Sequence, residues 1–87
     1  MEADRQLYAL DLAIQTHPDA AVNYLLRGEY WLVMGDLYQA QDDLLAAQEL
    51  AEEALKTDDW GYIDQSYLDR AEEMLATVNQ QMKLNGK

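Results

Sequence analysis

The stretch Tyr24-Leu25-Leu26-Arg27-Gly28-Glu29-Tyr30-Trp31-Leu32-Val33-Met34-Gly35-Asp36-Leu37-Tyr38-Gln39-Ala40-Gln41-Asp42-Asp43-Leu44-Leu45-Ala46-Ala47 decides the fold. Its apolar and small residues fall three and four apart on both sides of one break at Gly35-Asp36. Before the break, Ala21, Tyr24, Leu25, Gly28, Trp31 and Leu32 form a stripe on one helix face. After it, Leu37, Ala40, Leu44, Ala47, Ala51 and Leu55 form a second stripe, carried to about Lys56. Gly35 suits the left-handed residue that ends a helix, and Asp36 suits the N-cap of the next. A turn of about two residues forces the two helices into an antiparallel hairpin. Small residues at Gly28, Ala40 and Ala47 allow the helix axes a close approach, and Tyr24, Trp31 and Leu44 are the bulk that fills the grooves beside those contacts.

Working outward, Leu7, Leu10 and Ile14 with Ala3 give a first helix over about residues 3 to 16, which must stop before Pro18 because proline disfavours helical geometry at His17. Pro18-Asp19 reads as the opening turn of the second helix, with the aspartate beside its N-terminus. Downstream, Thr57 to Asp64 reads as a break or short turn, and Leu68, Ala71, Leu75, Val78 and Met82 define a last helix from about Gln65 to Asn85. Proline is single, glycines number four and β-branched residues are scarce, so helix is the expectation throughout. The fold class expected is all-α, with about four helices.

The chain also repeats itself. Leu10 and Leu44 stand 34 positions apart, as do Ala13 and Ala47, and Leu68, Ala71, Leu75 and Val78 reproduce the spacing of Leu37, Ala40, Leu44 and Ala47 at an offset of 31. A period of this length in a helical chain implies stacked helix pairs. Tyr24, Gly28, Trp31, Ala40, Leu44 and Ala47, with the Gly35-Asp36 turn and Tyr38 behind it, resemble the tetratricopeptide repeat family, although Arg27 stands where leucine is usual and Glu52 where proline is. The resemblance implies a right-handed stack of antiparallel helices in a single domain over 1–87, with a partial repeat over 1–20, a full repeat over 21–54 and a degenerate one over 55–85. It also implies that the first helix of the full repeat lines a groove for peptides or helices. The positions facing that groove would be Val22, Leu25, Leu26, Glu29, Leu32 and Val33, a mostly apolar face without the lysines, arginines and asparagines with which the family clamps acidic peptide tails. A protein or peptide partner is expected, with a basic amphipathic helix suited by apolar burial and by the acidic rim.

Composition bounds the function from the other side. The 87 residues make one domain, which at this size buries only about 64% of its extended-chain surface. Seventeen acidic against six basic residues give a net charge of -11, which repels phosphate backbones and anionic lipid, so neither direct nucleic-acid binding nor membrane association is expected. An acidic protein that mimics nucleic acid and blocks a binder of it is a less favoured alternative. The absence of cysteine removes disulfides and thiolate metal sites, and with no basic start or long apolar run a cytoplasmic location is expected.

No catalytic constellation emerges. His17 is the single histidine and sits before proline at a helix end, a capping position. Ser66 is the single serine, and the dispersed glycines form no phosphate loop. The paired carboxylates Asp42-Asp43, Glu52-Glu53, Asp58-Asp59 and Glu72-Glu73 lack the loop geometry of calcium sites and read as solvated surface. No cofactor, metal or enzyme activity is expected. Trp60, Tyr62 and Tyr67 gather where the repeat pattern fails and read as a staple for an irregular connection. A chain with one full repeat has apolar ends to hide, so a structural homo-oligomer, such as a homodimer, is the alternative to a docking subunit or adaptor.

Overall fold

In a computed structural model, residues 2–57 and 61–86 are described, with side chains described from Arg5 onward. The architecture is all-α: helices α1 (Glu2–Thr16), α2 (Ala21–Met34), α3 (Leu37–Thr57) and α4 (Tyr62–Asn85) follow one another with no strand among the described residues. Among those residues no helix is long and apolar enough to cross a membrane. α2 and α3 form the central hairpin, α4 packs along α3 while also touching α2, and α1 packs against α2 alone. The body is flat, 43 × 30 × 14 Å. Its accessible surface of 5985 Å² exceeds the roughly 5,200 Å² of a rounder protein of equal mass.

The hairpin turn forms as its residues require. Gly35 is left-handed at φ 84°, its N–H donates to the Leu32 carbonyl at 3.1 Å, and the Asp36 N–H donates to the Trp31 carbonyl at 2.9 Å. This doubly bonded helix end needs a positive φ that a Cβ strains. The Asp36 carboxylate then accepts from the Gln39 N–H at 3.2 Å, capping α3. Gly35→Ala has open space for its methyl but not for its backbone, so it should lower stability by about 1 kcal/mol, read as a reduced urea midpoint at unchanged slope.

The α1–α2 junction differs from its sequence reading. Pro18 and Asp19 lie in a turn, and α2 begins only at Ala21, after an extended Ala20 that offers no side-chain cap. Asn23 does the capping from the other side: its Nδ2 donates to the carbonyls of Ala13 at 3.2 Å and His17 at 3.4 Å. α4 also starts early, so Tyr62, Ile63 and Asp64 are helical rather than part of a break.

The core is the surface where α2, α3 and α4 meet. Leu25, Leu37, Ala40, Leu44, Ala47, Ala71, Leu75 and Val78 form its main cluster, flanked by half-buried Tyr24, Trp31, Leu32, Tyr67, Met74 and Met82. Ala21, Ala51 and Leu68 form a second cluster beside it. Leu25, Leu44 and Val78 are the largest fully buried side chains, and each contributes about 1.5–3 kcal/mol by leaving water. At Gly28 the helices come so close that an added Cβ would stand 2.8 Å from both Cγ and Cδ2 of Leu44. Ala40, Ala47 and Ala71 are fully excluded from solvent, as small residues at such crossings must be. Of the expected aromatic staple, Tyr67 packs on the core and Tyr62 stands in solvent, while Trp60 falls outside the described residues.

Candidate protein interface

α2 is covered on one side by α3 and α4, and its other side borders α1. Residues 22, 26, 29 and 33 follow one another at helical spacing along its uncovered face. The structure sorts the six expected groove residues accordingly. Leu26 and Val33 are exposed, and Val22 and Glu29 are half-buried on the same open face. Leu32 is half-buried against the core cluster from its edge. Leu25 is not on this face at all: at 2% exposure it is a core residue, because it lies one helical step towards α3 from Leu26.

Between this face and α1 runs a cleft of about 290 Å³ lined by Gln6, Leu10, Leu26, Glu29, Tyr30, Val33 and Met34. Its walls are chiefly apolar, and Val33 reaches 79% exposure at its rim. Tyr30 forms the floor, held edge-on to Trp31 with ring centroids 5.2 Å apart, so it is braced from the core side. Glu29 meets Arg70 of α4 at 3.5 Å, an exposed pair that contributes little to stability but sets one polar edge of the cleft. A larger hollow of about 530 Å³ lies at the α2–α3 turn, where Met82, Asn85 and Gly86 of the α4 end face Met34, Leu37 and Tyr38.

What fixes the cleft is a contact that sequence reasoning missed. Arg27 reaches from α2 to two other helices: its Nε and Nη2 donate to the two carboxylate oxygens of Asp43 at 2.7 and 2.9 Å, and its Nη1 donates to Asp11 of α1 at 2.9 Å. Two parallel bonds to one carboxylate are the strong, geometrically specific form of this pairing. The guanidinium also lies 5.9 Å from the Tyr24 ring centroid, within cation–π range. The hydrogen bond to Asp43, helped by the one to Asp11, pushes the Arg27 pKa above its ordinary value against the opposing effect of burial. Asp43, expected on a solvated face, is instead 6% exposed. The signal was present in the sequence as an arginine among the apolar and small residues around position 27, and as an aspartate one step from Leu44.

α1 depends on that clamp because it has little else. None of its residues from Arg5 to Thr16 is buried; Leu7, Leu10, Ala13 and Ile14 are only half covered. His17 is exposed and contributes its backbone, accepting from Ala20 N–H at 3.3 Å and from Asn23. Among the described residues, no three His, Cys, Asp or Glu side chains converge as a metal site would require. Compared with known proteins, the chain matches no family model, no curated protein and no solved structure.

Proposed function

We propose that this protein is a non-catalytic interaction module that holds a helix of a partner protein in the cleft between α1 and α2. The observation that carries the reading is that cleft: exposed Leu26, Val33 and Met34 and half-buried Leu10 line an apolar opening floored by buried Tyr30. An exposed apolar cleft with polar edges is where an amphipathic helix gains most from leaving water. The net charge of -11 favours a partner helix with basic flanks, which the field of the whole molecule would steer in. A tetratricopeptide-type organisation agrees with this use, since α2 is the helix to which that resemblance assigns the groove. A cytoplasmic adaptor or small docking subunit fits a cysteine-free acidic chain.

Capture of one stoichiometric partner from an extract of the source cells, followed by titration of that partner, tests the proposal. Leu26→Asp and Val33→Asp each place a charge in the cleft without touching the core, so each should weaken binding by at least about 30-fold at unchanged helicity. A partner that binds both variants with wild-type affinity would remove the cleft from consideration.

A further inference from the structure

The four helices are not held to one body in the same way. Among the described residues, both core clusters draw on α2, α3 and α4 and include no residue of α1. α1 packs on α2 alone, through Leu7, Leu10, Ala13 and Ile14, each of which is only half covered. At the centre of that face stands Asp11 rather than an apolar residue, bonded to Arg27. At the junction, Asn23 of α2 holds the carbonyls of Ala13 and His17, and the chain runs through the turn at Pro18 and Asp19 into α2. α3 and α4, by contrast, are joined through Ala40, Ala47, Ala71 and Val78, all fully excluded from solvent.

We propose that α1 is a lid that leaves and rejoins α2 while α2, α3 and α4 stay folded, with the Asp11–Arg27 bond as its latch. The penalties that keep most helices in place are small here. α1 carries no buried side chain from Arg5 onward back into water, and it opens no cavity in a core that it does not line. Nor does its departure strand a charge. Arg27 keeps both bonds to Asp43, at 2.7 and 2.9 Å, and gives up only the Nη1 bond to Asp11, whose side chain is 49% exposed even when docked. Once free, a helix of 15 residues is marginal in water and unwinds. Opening turns the cleft into a groove on α2 along Leu26, Tyr30 and Val33, with the freed Nη1 of Arg27 at its edge. This consequence for binding rests on the cleft proposed above; the motion itself does not.

Native-state amide hydrogen exchange on the full chain, with no partner added, tests the lid. After correction for intrinsic rates, amides from Leu7 to Ile14 should exchange at least about 100-fold faster than those from Leu44 to Ala51. Their dependence on urea should also be weaker, because opening the lid exposes less surface than unfolding the chain. Val78→Ala truncates the α3–α4 core, which α1 does not touch. It should speed exchange in α3 at least about tenfold and leave α1 within about twofold of wild type, because the closed and open forms lose the same contact. Asp11→Asn keeps the shape and helix propensity but removes the charge, and should speed exchange in α1 about threefold. Equal protection of α1 and α3, passage of the full Val78→Ala effect into α1, or no response to Asp11→Asn would each overturn the proposal. Such a failure leaves the cleft reading standing, and a partner that ignores Leu26→Asp leaves the lid standing, since no partner enters this measurement.

Discussion

Asp43→Ala is expected to lower stability by about 3 kcal/mol, among the largest single-residue effects in this protein. The substitution removes little apolar packing. Its cost comes from Arg27, which would keep its charge beneath the α1–α2 surface with only the half-exposed Asp11 to neutralise it. Breaking one side of a buried pair costs about 3–5 kcal/mol, and the partial exposure of Arg27 places this case towards the lower end. Arg27→Leu should cost a similar amount for the converse reason, leaving the Asp43 carboxylate buried and unpaired. The double variant Arg27→Leu/Asp43→Ala should lose far less than the sum, because two apolar groups need no mutual neutralisation. Urea unfolding of the four proteins measures this directly, and additive losses would show that the clamp is not a coupled unit. A chain of this length has on the order of 4 to 13 kcal/mol in total, so each single variant should also be visibly closer to unfolding at ambient temperature.

The second large effect concerns the close approach at Gly28. Gly28→Val should destabilise by about 3 kcal/mol or more, since its Cβ would stand 2.8 Å from two atoms of Leu44 and its branched methyls have nowhere to turn. Leu44 cannot retreat, because it is fully buried between α2 and α4. The decisive comparison uses alanine. In the native background Gly28→Ala gains about 1 kcal/mol of helix propensity and loses more to the clash. In a Leu44→Ala background, itself down by about 2–5 kcal/mol, the two clashing atoms are gone and Gly28→Ala should become stabilising. A change of sign between backgrounds, read from urea midpoints, identifies steric contact rather than backbone freedom as the reason for glycine at this position.

Both predictions explain why only part of the site could be read in the chain. The hairpin was legible because its signals are local. Gly35 and Asp36 specify a helix end and a helix start through bonds to residues three to five positions away, and the stripes of Leu25, Leu44 and Val78 need only helical periodicity to find their faces. Periodicity places a residue on a helix without deciding which neighbouring helix covers it. Leu25 and Leu26 are adjacent apolar residues on α2, so nothing in composition separates the one that enters the core from the one that lines the cleft. Asp42 and Asp43 are likewise adjacent and chemically identical, yet Asp42 is exposed and Asp43 is buried under Arg27. The sorting depends on the angle at which α3 crosses α2 and on how far α4 reaches over both.

The sequence by itself determined an all-helical chain with an antiparallel hairpin at its centre, its turn chemistry, its small-residue contact positions and its acidic character. These follow from interactions within about one helical turn and from counting charges. The tertiary structure alone decided that Arg27 joins α1, α2 and α3, and that α1 is held without burying a side chain from Arg5 onward. Those outcomes depend on contacts between residues 10 or more positions apart, whose energies are fixed by the helix crossings and not by the local pattern of residues.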